Sequence, residues 1–164
     1  MESTLEKTTI TTFISPADLL THWLGHRNLT RRVIESFPEK EMFEFTIGGM
    51  RTFSGLVQEL LAVSAPGLRE IAMGKAEKLN EHLAEANSKE NILRLWDEAT
   101  EEITHLWAKI PAERFKETIV TFGQYENAIY CAILYFIDNE IHHRAQGYVY
   151  LRALGIEPPF FWER

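Results

Sequence analysis

At 164 residues, 45% of them hydrophobic and 12% aromatic, the chain is long enough to bury a sizeable core and too apolar for intrinsic disorder. Its formal net charge of -7 excludes broad binding to a phosphate backbone, which needs a basic surface, so nucleic acid is not an expected partner. No apolar run approaches the roughly 20 residues of a membrane span, and a single cysteine, Cys131, rules out an internal disulfide.

Met1 to Thr12 is polar and lacks the apolar core of a secretion signal. With the lone cysteine, this predicts a reducing, cytoplasmic location. One domain is expected over residues 1–164, with residues 1–14 flexible or loosely packed. Cys131 sits in the apolar run Ala128 to Leu134 and is expected to behave as a small buried hydrophobe.

The first helix begins at Ser15-Pro16, a cap followed by proline in the first turn. Its apolar positions Leu19, Leu20, Trp23, Leu24, Leu29, Val33 and Ile34 recur at three and four, and Pro38 stops it. In the connection to Met50, the alternation Phe43, Phe45, Ile47 predicts a short extended segment. A second helix is capped by Thr52 or Ser54 and carries Leu56, Val57, Leu60, Leu61 and Val63. At Pro66-Gly67 it either kinks or stops and restarts. Gly74 to Asn87 is charged and reads as a solvated connection with some helical character. Ser88 caps a third helix with Ile92, Leu95, Trp96, Ile103 and Trp107 on its inner side, ended by Pro111. A mixed loop follows, with room for one short strand at Thr118 to Thr121. The fourth helix is expected from about Glu126 to Leu154, with Gly155 at its C-cap. The aromatic tail Pro158 to Trp162 is expected to fold back. Four amphipathic helices without a convincing sheet give an all-α four-helix bundle.

The most informative stretch is Tyr135 to Arg152, which sets polar groups into an apolar helix. Asn139 and His143 are four apart and share a face, as do Glu140 and Arg144. Burying such groups costs desolvation unless they satisfy one another or bind something. His142 lies about 100° around the helix from His143, so it reads as a surface or interface group. Arg144 is expected to pair with Glu140 or cap a carbonyl, and its fork also suits a carboxylate ligand. Tyr148 is a further pocket candidate. On the first helix, His22 and His26 form a second pair four apart, a spacing that permits joint metal ligation.

Met50-Arg51-Thr52-Phe53 with the helix after it, Asp138 to Gln146, Tyr150-Leu151-Arg152, and the finish Gly155-Ile156-Glu157-Pro158-Pro159 resemble the DinB-like (DNA-damage-inducible, YfiT-like) family of four-helix bundles. The resemblance runs from about Ala17 onward. It implies a homodimer and a divalent metal held by three histidines, one from the second helix and two, four residues apart, from the fourth. It also implies a link to low-molecular-weight thiols, since some members are thiol S-transferases or isomerases.

Carried over residue by residue, those histidine positions fall on Glu59, Asn139 and His143, so the metal pattern has departed, and Ala145 stands where the signature has glycine. Glu59, Asn139 and His143 can still offer a harder donor set to one divalent metal, whether manganese, iron, nickel or zinc. If His26 faces the interior, it supplies the nitrogen that Asn139 lacks. The alternative is a metal-free hydrogen-bonded network of the same three residues. Two functions follow. One is a metal-dependent thiol S-transferase or hydrolase. The other is a non-catalytic bundle that has lost the metal and binds a small ligand or serves a stress response.

Overall fold

A computed structural model describes residues 13–164. Residues 1–12, on which most of the expectation for a loose N-terminus falls, lie outside the described residues; Phe13 and Ile14 are exposed.

Helix α1 (Pro16–Ser36) starts from a reciprocal cap. Ser15 Oγ accepts from the Asp18 amide at 3.1 Å, and the Asp18 carboxylate accepts from the Ser15 amide at 3.0 Å. The expected extended segment at Phe43 to Ile47 is instead the short helix α2 (Glu39–Glu44) and its exit. Pro38 presets the entry, Glu39 and Glu41 favour the first turn, and burial of Met42 overrides the alternating pattern. Helix α3 (Phe53–Met73) is capped by Thr52, whose Oγ1 accepts from the Gly55 amide at 3.3 Å. It runs through Pro66 without stopping.

Residues 75–87 contain no helix, which corrects the expected helical character. The segment is pinned instead. The Leu83 amide donates to Gln58 Oε1 at 3.0 Å, and Leu79 and Leu83 pack on the core. Helix α4 (Lys89–Trp107) has the predicted Ser88 cap, with Oγ accepting from the Asn91 amide at 3.1 Å.

After a 3-10 turn at Ala112–Lys116, an antiparallel hairpin forms from β1 (Thr118–Thr121) and β2 (Tyr125–Ala128). The strand at Thr118 is where the sequence allowed one. Its partner occupies residues expected to begin the fourth helix, so α5 spans Ile129–Ala153. Glu126 and Asn127 pair with Val120 and Ile119 before the helix can start. Gly155, at φ 76°, ends α5 in a conformation that L side chains rarely adopt, and the Ile156 amide returns to the Leu151 carbonyl at 2.8 Å.

Helices α1, α3, α4 and α5 make the all-α four-helix bundle. Each of α1 and α3 packs on both α4 and α5, so α1 lies diagonally across from α3. The core divides in two. One half gathers Trp23, Leu68, Ile103, Trp107 and Phe136; the other gathers Val33, Phe53, Leu60, Trp96 and Tyr150. Between them, on every bundle helix, lies a belt of polar side chains. Helices α3 and α5 approach closely beside it: a Cβ on Gly147 would stand 2.4 Å from Phe53 Cε2.

Candidate functional site

The belt has two parts, one on each side of α5. The part facing α1 is deeply buried. Arg27, fully shielded, donates to Thr100 Oγ1 at 2.7 Å and to the Trp96 carbonyl at 3.1 Å, and its guanidinium lies 3.7 Å from the Trp96 ring centroid. The Glu140 carboxylate stands 3.7 Å from Arg27 and 3.9 Å from Arg144, and its Oε1 accepts from Thr30 at 2.6 Å. Arg144 also donates to the His26 carbonyl at 3.2 Å and to Thr30 Oγ1 at 3.1 Å. Burial pushes the Glu140 carboxyl above the usual range against the opposing pull of Arg27, Thr30 and Arg144. The predicted Glu140–Arg144 pair is therefore present, inside a larger network that sequence spacing did not disclose.

His26 belongs to this part. Its Nδ1 lies 3.0 Å from Arg144 Nη2, and its Nε2 lies 3.2 Å from His22 Nε2 and 3.0 Å from Arg164 Nη1. It faces the interior, as the first-helix reading allowed, but joins Arg144 rather than Asn139. Burial, with the charges of Arg144, His22 and Arg164, holds its imidazole down at about 4.

The part facing α3 brings together Glu59, Asn139 and His143. His143 Nε2 lies 3.0 Å from Glu59 Oε1, and Asn139 Nδ2 donates to the same oxygen at 3.3 Å. The four-residue spacing on α5 and the position of Glu59 on α3 account for the meeting. Buried His143 Nε2 has no contact of hydrogen-bond geometry, whereas Nδ1 lies 2.9 Å from Gln146 Oε1. Arg51, outside the expected set, binds the other Glu59 oxygen and reaches Glu81 Oε2 at 3.3 Å. Burial tends to raise the Glu59 carboxyl, but the hydrogen bond from Arg51 and the nearby His143 imidazole hold it below the ordinary carboxylate range. Arg51 was visible in Met50-Arg51-Thr52-Phe53 but carried no signal that it would fold onto Glu59. His142 is exposed, 3.3 Å from Gln146 Nε2, and lines neither of the two cavities beside α5.

Glu59 also walls a cavity of about 520 Å³ between α3, α5 and the hairpin. Glu81 lies with it at one end; Phe122, Tyr135 and Phe136 supply apolar surface, and Asn127 and Cys131 add polar atoms. Cys131 is thus partly exposed, correcting its expected burial. The Tyr135 phenol is raised by burial and by the charges of Glu59, Tyr125 and Glu81. Arg144 and Tyr148 line a different cavity, of about 350 Å³, between α5 and the C-terminal segment, which folds back as expected.

Comparison with family models matches residues 5–163 to the DinB family. Among solved structures, the chain is similar to a DinB-like protein from Bacillus cereus ATCC 10987, with TM-score 0.75 and 13% identity, over 92% of this chain and all of that one. It is also similar to a DinB-like protein from Bacillus subtilis, with TM-score 0.68 and 21% identity, over 89% of this chain and 99% of that one. Comparison with curated proteins finds no match.

Proposed function

The chain belongs to the DinB family, and from that premise we propose that it is a small-molecule-binding bundle whose cavity at Glu59 takes a compact organic cation with an apolar body. The observation that carries this reading is the double role of Glu59, a member of the polar belt and part of the cavity wall. Glu59 and Glu81 share one guanidinium, that of Arg51, which leaves carboxylate charge over for a ligand ammonium. Phe136 and Tyr135 provide faces for the apolar body and for cation–π contact.

The donor set supports this over a firmly held divalent ion. Arg51 already engages one oxygen of Glu59, and the Asn139 amide donates to the other. Among the described residues, no three His, Cys, Asp or Glu side chains stand together as ligands. One observation favours the metal-dependent transferase or hydrolase instead: the buried His143 Nε2, without a hydrogen-bond partner, faces a carboxylate oxygen.

Thermal unfolding of tag-free protein in benzylamine hydrochloride tests the proposal, with benzyl alcohol as the uncharged control. A saturable rise in Tm specific to the amine, lost in Glu59→Gln, is expected. Equal effects of amine and alcohol, or none, overturn it. Stoichiometric metal in the purified protein, lost in His143→Ala, would establish the metal reading in its place.

A further inference from the structure

We propose that the cavity between α5 and the C-terminal segment is a second binding site, for a small organic carboxylate with an apolar body. It lies on the side of α5 away from Glu59 and rests on none of the residues proposed for the cation.

One wall is cationic and comes from α5. Arg144, 6% exposed, is held in place by its bonds to the His26 carbonyl and Thr30. One turn on, the Tyr148 hydroxyl is buried and has no hydrogen-bond partner. Arg152 follows at the mouth, with its guanidinium 5.9 Å from the Tyr148 ring centroid. The opposite wall is apolar and includes Phe160 and Trp162, whose rings stack at 4.8 Å.

The surrounding charges leave an anion wanted. Glu140 is shared between Arg27 and Arg144, so one buried carboxylate faces two guanidiniums. Glu163 faces Arg32 at 3.8 Å, and the buried Arg32 Nε has no hydrogen-bond partner. Among the lining residues, Glu157 is the sole carboxylate, set against both Arg144 and Arg152. The Tyr148 phenol is raised by burial, while the nearby charges of Arg144, Arg32 and Arg152 pull it the other way. A buried hydroxyl surrounded by guanidiniums and lacking an acceptor is costly as it stands. A ligand carboxylate can accept from that hydroxyl and from the fork of Arg152 while its body lies on Phe160 and Trp162.

Calorimetric titration of the full chain with sodium benzoate, against benzyl alcohol, tests this. Saturable binding of benzoate alone is expected, weakened about tenfold by Arg152→Gln or Tyr148→Phe. Glu157→Gln, which removes the competing carboxylate at an exposed position, is expected to tighten binding several-fold. Glu59→Gln is expected to leave it unchanged, which separates this site from the cation cavity. No saturable binding, equal binding of the alcohol, or indifference to Arg152→Gln and Tyr148→Phe with Glu157→Gln also neutral would overturn the proposal.

Discussion

The two polar groups on either side of α5 are built to different standards. Toward α1, Arg27, Thr30, Glu140 and Arg144 are 0 to 6% exposed, and Arg27 alone touches groups on α3, α4 and α5. Toward α3, Glu59 and His143 are flanked by a cavity and by Arg51, whose side chain is 47% exposed. The first group ties the bundle together. The second is open at its outer edge, where Arg51 stands half in solvent. Polar residues four apart on a helix therefore do not have one meaning: Glu140 with Arg144 joins a closed buried network, and Asn139 with His143 meets Glu59, which walls a cavity.

The sharpest way to break this contrast is to remove the carboxylate at the centre of the buried group. Glu140→Ala leaves two guanidiniums facing each other without compensation, at an expected cost of about 3–5 kcal/mol in urea unfolding. A cost as small as that of a surface pair would show that water reaches the α1 side and that the two groups are alike. The close approach of α3 and α5 gives the next largest effect. In Gly147→Ala the added methyl meets the Phe53 ring at 2.4 Å, so the ring must shift or α3 and α5 must part. A loss of about 1–3 kcal/mol is expected, along with weakened binding at the Glu59 cavity. A neutral substitution would mean that Phe53 yields and that helix spacing does not define the cavity.

Acid acts on the two sides in the same direction but in different pH windows. The His26 imidazole sits at about 4, below its ordinary 6.5. Between those values the unfolded chain binds the extra proton and the folded chain does not, so stability falls as pH drops from about 6.5 toward about 4. His26→Gln should flatten that fall in urea midpoints measured at intervals from neutral to pH 4. Glu59, held below 4.5, contributes stability lost only at lower pH. An unaltered acid profile in His26→Gln would place the titrating group elsewhere.

The sequence made the backbone of this comparison legible and little of the contrast. The caps at Ser15, Thr52, Ser88 and Gly155 were readable because each is a local bond between residues a few positions apart. The meeting of Asn139 with His143 follows from helix periodicity, and the place of Glu59 opposite them came from the family resemblance. Local pattern failed where tertiary contact chose otherwise. Met42 went to the core and made α2 a helix, and Asn127 paired with Ile119 and delayed α5. The reach of Arg27 to Trp96 and Thr100 and the fold of Arg51 onto Glu59 depend on which helices are neighbours, and periodicity does not state that.

The smallest stability effect is the most informative about function. In Glu59→Gln the amide keeps the shape of the side chain and one acceptor for Asn139, and it loses the charge that Arg51 meets. Because Arg51 is half in solvent, the cost to folding should be about 1 kcal/mol or less. The same change removes half of the carboxylate charge at the cavity end and should abolish the amine-specific rise in Tm. Stability and binding would then part company at Glu59, whereas at Glu140 the expected loss is one of stability. If Glu59→Gln instead destabilised the bundle as Glu140→Ala is expected to, Glu59 would be a second structural tie. The cavity beside it would then lose its claim to a ligand.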